Sequence, residues 1–157
     1  MTDHATAAHD WLKSQLGKEI HTSDWLTVTQ QRVNEFAQAT GDFQWIHLDV
    51  ERAKRESPYG STIAHGYLTL SLYPLLRGLV DANRPLVTGA KNVINYGLNK
   101  LRFPNAVKVG ARVRARCVLL GVEAAGAGLQ IIEQYTVEIE GETKPACIAE
   151  AIMRIGF

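Results

Sequence analysis

A chain of 157 residues, 46% hydrophobic and 21% charged, can bury roughly 70% of the surface its unfolded form exposes, so a single domain with a substantial core is expected. Lys and Arg number 17 against 16 Asp and Glu, for a net charge of +1; this excludes the basic field that neutralises a phosphate backbone, and nucleic acid is not an expected partner. Cys117 and Cys147 lie in separate apolar stretches and fit neither a disulfide framework nor a zinc motif. With no signal-like start and no apolar run of membrane length, the chain reads as soluble and cytoplasmic, with no membrane partner.

Residues 4–16 place Trp11, Leu12 and Leu16 on one side and stop before Gly17. They are expected to form a short helix, within an N-terminal extension (1–17) of a single domain spanning 1–157. A second helix is expected over 29–40, where Thr29 can cap the first free N–H groups and Val28 and Val33 occupy the two positions of a hydrophobic staple. Gly41 then supplies the left-handed residue that stops it, so Asp42 opens a connection. Residues 49–60 read as a charged helical turn begun by Asp49 and closed by Pro58 and Gly60. Residues 63–80 are apolar on nearly every side of the helical wheel, as in a buried helix, with a bend expected over 70–74 because Pro74 removes a backbone bond.

The second half changes period. Strands are expected over 91–103, 111–123, 128–140 and 146–155, with a hairpin turn at 140–143. Arg112, Arg114 and Arg116 alternate with Val113, Ala115 and Cys117, which marks a sheet with one solvated face. Helices followed by antiparallel strands define an α+β chain, in its simplest form a curved antiparallel sheet wrapped around the long buried central helix. Four or five strands cover only part of such a helix, so an edge-to-edge homodimer is expected.

Asp42 and His47 stand five residues apart among Phe43, Trp45, Ile46 and Leu48. Such a pair reads either as a turn aspartate beside a packed histidine, or as a carboxylate and an imidazole sharing one water. Histidine, with an ordinary pKa of about 6.5, can accept a proton near neutrality and return it within one cycle. Burial would push the Asp42 carboxyl up and attraction to His47 would oppose the shift. Gly66, at the start of the central helix, is either a point of close packing or the donor of a free first-turn N–H able to bind an oxyanion. His65 reads as fixing the helix start, with direct proton transfer as the alternative.

Three stretches, FAQATGDFQWIHLD, IAHGYLTLSLYPLL and NVINYGLNKLRFPNAVKVGARVRA, together resemble the MaoC-like (R)-specific enoyl-CoA hydratases of the hot-dog fold. The resemblance covers residues 25–155 and looks most like the NodN-like branch. It implies a hydro-lyase of fatty acid metabolism that adds water syn and reversibly to trans-2-enoyl-CoA, giving (R)-3-hydroxyacyl-CoA. Asp42 and His47 would act jointly on the water and the α-carbon proton, and the Gly66 N–H would polarise the thioester carbonyl. Coenzyme A enters as part of the substrate, with no metal or redox cofactor expected. The central helix and inner sheet face would form an acyl tunnel, and Lys100 and Arg102 are candidates to meet the coenzyme A phosphates. Gln44-Trp45 replaces the family's Asn-Pro: Gln44 retains an amide that can orient a neighbour, and Trp45 either packs at the mouth of the tunnel or plugs the core. Two other readings stay open, a hot-dog acyl-CoA thioesterase directing water at the carbonyl and a non-catalytic acyl-CoA binding module.

Overall fold

The computed structural model describes residues 3–79, 81 and 83–157. Helix α1 (Asp3–Ser14) buries Ala5, Ala8 and Leu12 and packs on the strands later labelled β4 and β5. Gly17, at φ 76°, reverses the chain and donates to the Leu119 carbonyl at 2.8 Å. Two short strands follow, β1 (Glu19–Thr22) and β2 (Leu26–Thr27), both antiparallel to β4. Neither was expected, because four and two residues carry too little alternation to register as strands; β4 supplies their pairing.

Helix α2 (Gln30–Thr40) forms as its caps predict. The Thr29 hydroxyl accepts from the Arg32 N–H at 3.2 Å, Val28 and Val33 are buried, and Gly41, at φ 78°, donates to the Ala37 carbonyl. A single turn α3 (Trp45–Leu48) and a short helix α4 (Val50–Glu56) follow, the latter capped by Asp49 on the Arg52 N–H at 2.9 Å.

The central helix departs from expectation. It begins at Gly66 because Ile63 bridges to Lys108 and the Ala64 N–H donates to the Val107 carbonyl at 2.8 Å, which commits that stretch to extended pairing. It is divided at Leu72 into α5 (Gly66–Ser71) and α6 (Tyr73–Arg77), with Pro74 in the first turn of α6, where its missing N–H has no intrahelical partner to lose. Gly78, at φ 74°, ends it; Val80 lies outside the described residues. Burial is not all-round either: Leu68, Leu72 and Leu76 face the core, whereas Tyr67 and Leu75 are 68% and 48% exposed. That flank is largely open to solvent.

The long strands lie within two residues of expectation: β3 (Asn92–Arg102), β4 (Arg112–Ala125), β5 (Gly128–Ile139) and β6 (Cys147–Gly156). All pairs are antiparallel, in the order β1-β4-β5-β6-β3, with β2 also on β4. Val113, Ala115, Cys117, Ile131, Tyr135 and Met153 are among the side chains aimed at the helices. The arginine row lies on the opposite face, where Arg112 pairs with Glu140, Arg114 with Glu138 and Arg116 with Glu19 at 2.7–2.9 Å. The two thiols are buried and free, and burial pushes each up to about 12.

One inward position of β5 breaks the apolar pattern. Glu133, fully buried, accepts from Arg77 Nε and Nη2 at 2.9 Å each and from the Tyr73 hydroxyl at 2.8 Å. The bond from Arg77 is bidentate and charge-assisted, and removing one partner strands a buried charge. Glu133→Leu is expected to lose about 3–5 kcal/mol in urea unfolding at fixed protein concentration, with Arg77→Met restoring most of the loss in the double variant. A single-variant loss below about 1 kcal/mol would contradict this account.

Candidate active site

Two segments meet at the start of α5. Gly41 ends α2 and turns the chain, and Asp42 is then held by its neighbour: Oδ1 accepts from the Gln44 side-chain amide at 3.1 Å and from the Gln44 N–H at 3.4 Å. The amide in the departing dipeptide does orient a neighbour, as its chemistry suggested. The turn of α3 then carries His47 inward, to 8% exposure.

Backbone bonds lock this loop to residues 63–66. The Ile63 N–H donates to the Ile46 carbonyl at 3.1 Å, and His47 Nδ1 lies 2.7 Å from the Ile63 carbonyl. A carbonyl only accepts, so Nδ1 carries the proton and the Nε2 lone pair is free for chemistry. Gln30 supports the loop from α2: its amide donates to the His47 carbonyl at 2.7 Å and its side-chain oxygen accepts from the buried Thr62 hydroxyl at 2.6 Å.

His65 is part of this site. Its ring stacks on His47 with centroids 3.8 Å apart and planes 27° apart, and its Nε2 donates to the Asp42 carbonyl at 3.0 Å. It occupies the N-cap position of α5 without a side-chain capping bond, so it holds the loop rather than the helix end. Asp42, His47 and His65 each bring one ligand-type atom within 4.8 Å of the others. Two of the candidate ligand nitrogens, His47 Nδ1 and His65 Nε2, are already engaged by the Ile63 and Asp42 carbonyls.

Gly66 follows directly and, as the first residue of α5, has an N–H without an intrahelical acceptor. A methyl group there would stand 3.0 Å from the Phe103 ring, so this glycine is a point of close packing. Phe103 meets Tyr67 edge-on at 6.0 Å. Trp45 is not a core plug: it is half-buried, outside the core cluster, with the Arg52 guanidinium 4.2 Å over its ring. Lys100 and Arg102 are exposed, Lys100 pairing with Glu150 at 3.2 Å and Arg102 donating to the Leu101 carbonyl at 2.7 Å.

The electrostatics prepare an ionised acid beside a neutral base. Desolvation pushes the Asp42 carboxyl up, but the two Gln44 donors, with His65 and His47, hold it below the usual carboxylate value. Desolvation pushes the His47 imidazole down, and the neighbouring His65 adds to this against the Ile63 carbonyl and Asp42; the net shift is downward.

With this arrangement in view, kinship can be placed. Residues 12–140 match the family described as the MaoC like domain, and the chain belongs to this family of dehydratases. Over 144 residues it is 53% identical to the 3-hydroxyacyl-thioester dehydratase Z of Mycobacterium tuberculosis, covering 91% of this chain and 92% of that protein. It is 44% identical over 145 residues to nodulation protein N of Rhizobium leguminosarum bv. viciae, covering 92% and 88%, in keeping with the NodN-like wording of its motifs. The solved (R)-hydratase from A. caviae, described as involved in PHA biosynthesis, superposes with a TM-score of 0.70 at 22% identity, covering 88% of this chain and 97% of that one. The architecture is therefore the hot-dog fold.

Because the Gln44 amide is the largest influence lowering Asp42, Gln44→Ala is expected to move the Asp42 titration upward in carboxyl 13C NMR. An unchanged midpoint would show that the amide does not bear on the acid.

Proposed function

We propose that the protein is an (R)-specific enoyl-CoA hydratase, adding water syn and reversibly across trans-2-enoyl-CoA to give (R)-3-hydroxyacyl-CoA. The observation that carries this reading is the His47 imidazole, tied through Nδ1 to Ile63 so that Nε2 is a free base next to the Asp42 carboxylate. Starting from carboxylate and neutral imidazole, the pair takes one proton from water as the oxygen bonds to the β-carbon. It then hands that same proton to the α-carbon, the residue that accepts it from water passing it to the one that delivers it. The pair returns to its starting charge, and two groups on one connection serve the same face of the substrate, which is the requirement for syn addition. The thioester acidifies the α-position, and the Gly66 N–H receives its oxygen as enolate charge develops. Coenzyme A is a part of the substrate, and no other cofactor takes part in these steps.

A cleft of about 400 Å³ between Leu70, Tyr73 and Pro74 on the helix and Tyr96, Leu98 and Ile152 on the sheet is the natural acyl tunnel. Its β3 side is an open strand edge with Ile94 and Tyr96 57% and 62% exposed. A second copy pairing there would cover this edge and the Tyr67–Leu75 flank, so the working unit is a homodimer. Residues 1–157 act as one domain, with α1 as the N-terminal extension. No helix among the described residues is long and apolar enough to cross a membrane, and the reaction is assigned to the cytoplasm.

Purified protein with crotonyl-CoA should lose the enoyl absorbance without releasing thiol; thiol release with the double bond intact would make it a thioesterase instead. Asp42→Asn and His47→Ala are each expected to reduce kcat by about 10²–10⁴, and wild-type rates in both would show that the catalytic residues are assigned wrongly. Since the base must be unprotonated and its pKa is depressed, kcat/KM should fall with acid only below about pH 6.5; a fall beginning above that point would assign the base elsewhere. Light scattering at micromolar concentration should return the dimer mass, against which a monomer would count.

A further inference from the structure

We infer that His65 is a positioning residue for this reaction, setting the place of Asp42 relative to His47 through its Nε2–H bond to the Asp42 carbonyl. The inference rests on the hydratase reading above and extends it to a residue that neither binds water nor supplies the oxyanion donor in that scheme. The loop that carries the acid and the base is attached to residues 63–66 at two ends. The His47 end is held by Ile63, through its N–H on Ile46 and its carbonyl on His47 Nδ1. The Asp42 end is held to that segment by the bond from the His65 ring, 3.0 Å long. Without it, Asp42 follows a left-handed glycine and is oriented only by Gln44 within its own loop.

The same ring does two further things. It forms the surface on which His47 lies, 3.8 Å away, while Phe36 packs tilted against it at 5.1 Å. It also immediately precedes Gly66, so acid, base and oxyanion donor are referred to one rigid group. That group is 3% exposed, and its Nδ1 is buried with no hydrogen-bond partner. A buried orphan nitrogen is unfavourable, and a residue serving only to fill space would be satisfied by an apolar ring. An imidazole is used here for its Nε2–H donor, which no apolar ring carries.

The test compares two side chains of similar length, one with a donor at the reach of Nε2 and one without. His65→Met is expected to reduce kcat on crotonyl-CoA about 100-fold, the effect of displacing a reacting group by about 1 Å, with KM changed less than threefold. His65→Gln should recover at least tenfold of that loss. Equal defects in the two variants, or a wild-type rate in His65→Met, would overturn the proposal. If neither variant folds by thermal melting, the wild-type enzyme decides: 15N–1H correlation should show His65 as the Nε2–H tautomer, and the Nδ1–H tautomer would overturn the assignment. Asp42→Asn run in parallel separates the two levels, because full activity there refutes the hydratase site itself, whereas loss there with a normal His65→Met refutes only the role of His65.

Discussion

Glu133 accepts three hydrogen bonds at a point where the inner face of the sheet is otherwise apolar, and this cluster fixes where the central helix can lie. Both donors, Tyr73 and Arg77, belong to α6. An apolar helix face on an apolar sheet can slide by a turn and still bury similar area. A bidentate pair at 2.9 Å cannot, because any slip leaves a charge in the core. On β1, two strands away, His21 holds the same helix by donating to the Leu76 carbonyl at 2.7 Å. With α6 fixed, the break at Leu72 sets α5, and α5 sets His65 and Gly66. The start of α5, where the candidate site lies, is thus located by an ion pair in the core.

The loop at that end has its own logic. Gly41 releases the chain, α3 returns it after a single turn, and three bonds to residues 63–66 convert a short surface connection into part of the frame. The result is a half-buried carboxylate held ionised and a buried imidazole held neutral, two opposite responses to one neighbourhood. Donors decide between them: at Asp42 the Gln44 hydrogen bonds and the two imidazoles together outweigh desolvation, while at His47 desolvation prevails.

Much of this was legible in the chain. The four long strands declared themselves by alternation, and α2 by Thr29, the Val28–Val33 staple and Gly41. Asp42, His47 and Gly66 could be chosen because glycine stops, helix starts and ionisable side chains in apolar runs are local signals. What escaped depends on partners distant in sequence. The strands β1 and β2 exist only because β4 pairs with them, and Glu133 looks like any outward glutamate until Arg77, 56 positions away, is placed beside it. The helix start was set three residues early because pairing with Lys108 and Val107 overrides the helical preference of Ile63 and Ala64. His65 was noticed at the correct end of the helix, but its bond to Asp42 crosses 23 positions and has no sequence signature.

The two buried thiols have a practical consequence. Both sit on strands in the middle of the sheet, Cys117 on β4 and Cys147 at the start of β6, and burial keeps them protonated far above neutral pH. Thiolate is the reactive form, so an alkylating reagent finds no target until the sheet opens. The native protein therefore carries two internal clocks for its own opening, and the rate of cysteine labelling measures how often the sheet comes apart.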